Sequence, residues 1–127
     1  MSKSKLKKKL DAIFSKYIRW YYADANGYVE CYTCGVTKPV KEMQCGHFQS
    51  RRHYATRWHT DNCKPQCVKC NMFMQGNIWV YGNKLKAEIG DVKFNELIQL
   101  SNSTVKYTQQ DYLDMLEYYK KELNNLM

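Results

Sequence analysis

The chain of 127 residues lacks several features that mark other protein classes. It has no apolar run long enough to span a bilayer, and its lysine-rich N-terminus has no hydrophobic segment of the kind found in signal peptides. It also has no internal repeat, low-complexity tract or linker. We therefore expect a single domain covering 1–127, soluble and intracellular, with no membrane contact.

The charge of the chain is strongly positive and unevenly placed. The formal net charge is +8 and the pI is about 9.2. Residues 1–19 carry seven Lys/Arg against one acid, and residues 38–70 carry seven against two. Because Lys and Arg neutralise phosphates and release counterions, this balance favours nucleic acid as the partner.

The N-terminal segment, 1–23, predicts a basic amphipathic helix. Its apolar residues recur at helical spacing, and lysines occupy the other face. That face is either a solvated surface or a DNA contact, with Lys5, Lys8 and Lys9 as candidates. The apolar stripe consists of Leu6, Leu10, Ile13, Phe14, Tyr17, Ile18 and Tyr21.

The remaining pattern predicts a mixture of short strands and helices. Strands are expected over 28–32 and 43–48, followed by a polar, basic loop over 49–66 and a helix that opens at the second cysteine pair. The C-terminal part, 77–127, reads as helices, interrupted at Gly90 and restarted by a capping box at Thr108. The apolar stripe of the last helix is Tyr112, Leu116, Tyr119, Leu123 and Leu126.

Four of the six cysteines form two Cys-x-x-Cys pairs, Cys31 with Cys34 and Cys67 with Cys70. Each such turn presents two thiolates, so two turns supply the four ligands of a tetrahedral Zn²⁺. Without a signal peptide, metal binding is favoured over disulfides. Cys45 and Cys63 are left over, as small buried apolar residues or as part of a second soft-metal site.

Three polar residues within this zinc-clamped stretch are candidates for hydrolytic chemistry. His47 suits a general base near neutral pH, and Asn62 is a candidate to fix the ring through its second nitrogen. Asn71 follows the last cysteine and offers an amide oxygen to Mg²⁺ or Mn²⁺. The ordinary alternative is a surface histidine and two helix-capping asparagines.

The basic loop supplies candidate DNA contacts. Arg51, Arg52 and Arg57 have the guanidinium groups that match phosphate oxygens in pairs. Tyr54 and Trp58 are candidates for stacking on unpaired bases.

The motifs themselves resemble known nucleases. The order Cys-x-x-Cys, Gly-His, Asn, Cys-x-x-Cys-Asn resembles the zinc-containing HNH, or ββα-metal, nucleases. FSKYIRWYYADANGYVECYTCG at 14–35, CGHFQSRR at 45–52, RWHTDNCKPQCVKCN at 57–71 and GNIWVYGNKL at 76–85 resemble the phage recombination proteins of the NinG, or Rap, family. The position of the histidine between the cysteine pairs is also similar to phage junction resolvases of the endonuclease seven type.

The resemblance implies a fold, an activity and a source. The fold is α+β, with a zinc-clamped ββα-metal core over 28–76 flanked by N-terminal and C-terminal helices. The activity is cutting of branched DNA such as Holliday junctions and D-loops, by a phage or prophage protein in the bacterial cytoplasm. Symmetric cutting predicts a homodimer, with the stripes of the first and last helices as candidate interfaces.

One position departs from the HNH pattern. Many HNH enzymes carry Asp or His directly before the base, whereas this chain has Gly46. Asn71 alone would bind Mg²⁺ weakly. His47, Asp61, Glu42, His59 or a DNA phosphate are the candidates that would complete the metal shell.

Two other functions fit the same motifs. A non-catalytic zinc module that binds DNA or a recombination partner accounts for Gly46 directly. A nuclease of the restriction or homing type would keep the chemistry and cut duplex DNA instead of junctions.

Overall fold

The computed structural model describes all 127 residues as a mixed α+β domain with two small antiparallel sheets and six helices, one of them a π-helix. In chain order the elements are α1 (Lys3–Tyr21), β1 (Tyr28–Glu30), β2 (Thr37–Pro39), β3 (Met43–His47), α2 (Tyr54–Arg57), β4 (Cys63–Cys67), the π-helix (Lys69–Phe73), α3 (Ile78–Ile89), α4 (Asp91–Ser101) and α5 (Gln109–Leu126). None of these helices has the length and apolar character needed to cross a membrane.

The first and last helices pack against each other. The stripe predicted for α1 is confirmed, since Leu6, Leu10, Phe14 and Ile18 are buried. They meet Tyr112 and Leu116 of α5 in the main apolar cluster. The expectation that these two stripes form a dimer interface is therefore wrong, because each covers the other within one chain.

The C-terminal helices begin and end close to the predicted positions. Thr108 and Asp111 form the capping box of α5, each side chain bonded to the other residue's backbone N–H. Gly90 separates α3 from α4 with φ +87°, a backbone conformation that glycine adopts without a steric cost.

The central element is the antiparallel pair β3–β4. The register pairs Met43 with Cys67 at one end and His47 with Cys63 at the other. The sequence predicted β3 but placed β4 in a loop and a helix. That prediction is wrong because all five residues of β4 are buried, so the strand has no alternating pattern that would reveal it.

The two faces of this strand pair meet different helices. Paired residues of antiparallel strands point to the same face, and successive residues alternate. Cys45, His47 and Cys63 therefore share the face against α1. Gln44, Gly46, Lys64 and Gln66 share the other face, on which Lys64 forms an ion pair with Glu88 of α3.

Candidate functional site

The four cysteines of the Cys-x-x-Cys pairs come together at the end of β3–β4 that begins with Met43. One Sγ from each lies within 4.8 Å of the others, and Cys34 and Cys67 are 3.7 Å apart. Cys31, Cys67 and Cys70 are buried, whereas Cys34 is exposed. Four converging thiols with no carboxylate are the donor set of a closed structural zinc site, so this group can hold Zn²⁺ as predicted.

The thiol of Cys31 has a pKa below that of an ordinary cysteine. Burial opposes ionisation of Cys31, but hydrogen bonds from the Thr33 hydroxyl and from nearby backbone N–H groups outweigh it and lower its pKa to about 6. Metal binding requires thiolates, and it deprotonates the remaining cysteines.

His47 lies at the opposite end of β3, partly buried, with its ring in a cleft against α1. Its Nε2 is 2.8 Å from the carbonyl oxygen of Arg57. Since a carbonyl can only accept, Nε2 carries the proton and Nδ1 keeps a free lone pair. Burial lowers the pKa of His47 below its ordinary value, although the Arg57 carbonyl acts in the other direction. The ring is therefore neutral at pH 7.

The cleft beside His47 has a volume of about 380 Å³ and is lined by both positively and negatively charged side chains. Lys8 and Arg51 contribute the positive groups and Asp11 the negative one. The lining residues are Lys8, Asp11, Ala12, Phe14, Ser15, Cys45, His47 and Arg51. None of the additional metal ligands considered from the sequence, Asp61, Glu42 and His59, belongs to this set.

Asp11 holds the loop after β3 against α1. Its carboxylate accepts hydrogen bonds from Arg57 at 2.6 and 3.2 Å, from Arg51 at 2.7 Å and from the Trp58 indole at 2.9 Å. Burial alone would raise the pKa of Asp11, but the two guanidinium groups lower it. The sequence signal for this residue was weak: Asp11 is the single acid within a helix of lysines.

This arrangement changes the roles predicted for three residues, which belong to α2 and its C-terminal cap. The guanidinium of Arg57 is occupied by Asp11, so it is not available as a phosphate clamp, whereas its carbonyl fixes His47. Trp58 is only 6% exposed and cannot stack on a base. Tyr54 bonds Lys7 on the surface of α1.

Asn62 has a different role from the predicted one. It is fully buried, and its side chain bonds the N–H and carbonyl of Gln49 and the carbonyl of Thr56. It makes no hydrogen bond with His47, whose ring is bonded to Arg57. Asn62 instead closes the loop that carries the Arg57 carbonyl, so it positions the histidine indirectly.

Asn71 is not brought into the histidine cleft. Its Nδ2 donates to Oε1 of Gln44 at 2.8 Å, and Gln44 points to the face of β3 opposite to His47. The structure therefore does not bring His47, Asn62 and Asn71 into one cleft, and a hard-metal site shared by them stays a prediction. The ββα-metal core that this arrangement would form is not confirmed.

The structure accounts for Gly46 by its neighbour Gln66. A Cβ at position 46 would lie 1.9 Å from Oε1 of Gln66. Gln66 is fully buried, and its Nε2 donates to the Thr33 hydroxyl and to the Gly76 carbonyl. Its Oε1 has no hydrogen-bond partner. A side chain at position 46 is thus excluded by a buried amide that bonds the first cysteine pair's turn to Gly76.

A second group of metal-ligating side chains consists of Cys45, His47 and Cys63, whose ligand atoms lie within 4.8 Å of one another. Cys63 is completely buried in the apolar cluster under α1, and burial raises its pKa well above the ordinary value. A protonated thiol in an apolar core fits a packing role, which is the first of the two roles considered for these cysteines.

Zinc content tests the separation of these two groups. We expect about one Zn²⁺ per chain in the wild type, and loss of the metal with cooperative unfolding in Cys67→Ser, because a closed site needs all four ligands. Cys63→Ala is the matched control and should keep one Zn²⁺. Elemental analysis and urea denaturation measure both effects; two Zn²⁺ per chain, falling to one in Cys63→Ala, would contradict this assignment.

A double-mutant cycle tests the contact between Gly46 and Gln66. Gly46→Ala should destabilise the fold by about 1 to 3 kcal/mol, because the new methyl group overlaps the buried amide. In a Gln66→Ala background the same change should cost less, by about 1 kcal/mol or more, because the overlap is gone. Urea denaturation of the four proteins gives the coupling, and purely additive costs would show that Gln66 does not restrict position 46.

Comparison with known proteins identifies a family but no individual similar protein. No curated protein and no solved structure matches the chain. The family model described as bacteriophage lambda NinG protein matches residues 1–127. The resemblance to HNH nucleases and to junction resolvases of the endonuclease seven type therefore stays a prediction. The match over every residue shows that the chain belongs to the NinG family of phages, which is related to recombination.

Proposed function

We propose that this protein is a zinc-stabilised endonuclease that cuts branched DNA, with His47 as the base that activates water. The geometry of His47 carries the proposal. Its Nε2–H is fixed by the Arg57 carbonyl, its ring is neutral, and its free Nδ1 belongs to a side chain that lines an open cleft. A neutral imidazole with one nitrogen held in place is the form that accepts a proton from water.

The charge around the cleft supports a polyanionic substrate. Lys8 and Arg51 line it directly, and Arg52, Lys5 and Lys9 are exposed on the loop and on α1. Arg51 also bonds Asp11, but its side chain is 58% exposed, so it remains accessible to a phosphate. Cations at this place can stabilise the charge that develops on the departing oxygen.

The choice of branched DNA rests on the family's relation to recombination. Resolving a symmetric junction needs two cuts, so a homodimer is part of the proposal, through a surface other than the stripes of α1 and α5. The two alternatives remain distinguishable. A non-catalytic zinc module would bind junctions without cutting, and a restriction or homing nuclease would prefer a fixed duplex sequence.

Replacing His47 tests the mechanism. We expect His47→Ala to cut a four-way junction about 10² to 10⁴ times more slowly than the wild type, because the base is lost. Zinc content and junction binding should be unchanged, since His47 is not part of the cysteine group. The assay compares junction, flap, D-loop, single strand and duplex, each titrated with Mg²⁺ and Mn²⁺.

His53→Ala is the matched control, because His53 lies six residues after His47, at the start of α2, and its side chain makes no capping hydrogen bond. It should cut at the wild-type rate. Equal cutting by His47→Ala and the wild type would overturn the mechanism, and junction binding without cutting by the wild type would favour the non-catalytic module.

The pH dependence of cutting follows from the lowered pKa of His47. The base works only when it is neutral, so its contribution is complete above its pKa and is lost as the pH falls through it. Because burial places that pKa below the ordinary value of about 6.5, the midpoint of the acid fall in rate should lie below pH 6.5. Single-turnover rates between pH 4.5 and 8 measure this, and a midpoint above about pH 6.5 would contradict it.

A further inference from the structure

The segment after the last cysteine carries a large exposed apolar surface that the proposed active site does not use. Phe73 is 81% exposed and Trp79 is 82% exposed. Trp79 lies two residues from the buried Tyr81 of α3, so it points away from the core. Other exposed apolar side chains close by in the sequence are Val68, Met72, Met74, Ile78 and Val80, and Phe73 and Trp79 are called the aromatic surface below.

The backbone beneath this aromatic surface is tightly constrained. It passes through the π-helix and then through three consecutive residues with positive φ: Gln75, Gly76 and Asn77. Gly76 donates its N–H to the Cys70 carbonyl and accepts from Gln66. Two of these residues are not glycine, so the conformation carries strain that the surrounding contacts sustain.

These contacts connect the aromatic surface to the zinc-binding cysteines. Asn77 lies 3.8 Å from Sγ of Cys70, and Cys70 is one of the four converging thiols. A Zn²⁺ bound to the four cysteines would therefore make the backbone between Phe73 and Trp79 more rigid. Large rigid rings lose little conformational entropy on binding, which suits them to stacking.

The charge of this segment favours a nucleic acid over a second copy of the chain. Residues 62–87 contain four lysines and no acidic residue. Lys64 is buried in an ion pair with Glu88 and Lys86 lies 4.0 Å from Asp91, whereas Lys69 and Lys84 are exposed and form no ion pair. Two copies meeting through this surface would bring like charges together, whereas DNA phosphates would neutralise them. Exposed aromatic rings beside lysines are the combination that binds unpaired bases.

We propose that Phe73 and Trp79 stack on the unpaired or splayed bases at a DNA branch point, and that this contact distinguishes branched DNA from duplex. A continuous duplex presents only stacked bases, so the two rings have no partner there. The inference rests on the proposed DNA substrate, but it concerns binding and does not depend on cutting.

The test measures binding in a His47→Ala background, so that no substrate is consumed. Phe73→Ala and Trp79→Ala should each bind a four-way junction roughly tenfold more weakly, because stacking on one base is lost, and should bind a duplex of equal length unchanged. Trp79→Phe should keep most of the affinity. Tyr118→Ala is the control, because Tyr118 is an exposed aromatic residue on α5, 57% exposed.

Fluorescence gives an independent readout. Trp20 and Trp58 are more buried than Trp79, so quenching that disappears in Trp79→Phe reports the stacked ring. Quenching by a junction and by a single-stranded flap, but not by duplex, would support the proposal. Comparison of junction and flap affinities shows whether the rings prefer bases at a four-way branch point or bases in a single-stranded flap.

Three outcomes would overturn the proposal. The first is wild-type junction affinity in both alanine variants, and the second is an equal loss of duplex affinity. The third is a dimer that dissociates in Phe73→Ala and Trp79→Ala, seen by analytical ultracentrifugation, with DNA affinity unchanged. A wild-type protein that cuts none of the substrates but needs both rings for junction binding would overturn the proposed nuclease activity. The stacking proposal would still stand.

Discussion

The rest of the structure depends on the pairing of β3 with β4. Five residues on each strand join the cysteine group at Met43–Cys67 to the histidine at His47–Cys63, and both faces of the pair are covered by helices. The strand register therefore fixes which side chains can act together. Cys45, His47 and Cys63 face α1, whereas Gly46 and Gln66 face α3, and no rotamer change moves a residue from one face to the other.

The state of His47 is set by residues that do not touch the ring's free nitrogen. Asp11 on α1 holds Arg57, and Asn62 closes the loop between Gln49 and Thr56. Together they place the Arg57 carbonyl where it can accept from Nε2. The proton is thereby kept away from Nδ1, and the buried ring stays neutral. The ion pair between Asp11 of α1 and Arg57 of α2 thus helps to hold His47 in the tautomer with its proton on Nε2.

Sequence patterns predicted those parts of the molecule in which given residue types stand at a fixed short spacing along the chain. The stripe of α1, the capping box at Thr108 and the four-cysteine group all belong to this class, and all three are confirmed. The patterns failed where a role depends on residues distant in the chain. Asp11 bonds Arg57 across 46 residues, and the fully buried β4 has no alternation. Motif order placed Asn71 with His47, because order along a chain does not reveal which face of a strand a neighbour contacts.

The separation of the two faces also constrains how DNA can engage the protein. His47 faces α1, whereas α3, which carries Trp79, covers the other face of the strand pair, where Tyr81 donates to the Gly46 carbonyl. Gln44, which contacts both Asn71 and Met72, connects β3 to the segment that carries Phe73. A duplex lying along α1 would reach Lys8 and His47 but not the rings on the far side. A branched molecule has a second arm that can pass around the strand pair, so simultaneous contact with both surfaces is itself selective for a branch. If both proposals hold, the thickness of the strand pair separates the branch point from the phosphodiester that is cut.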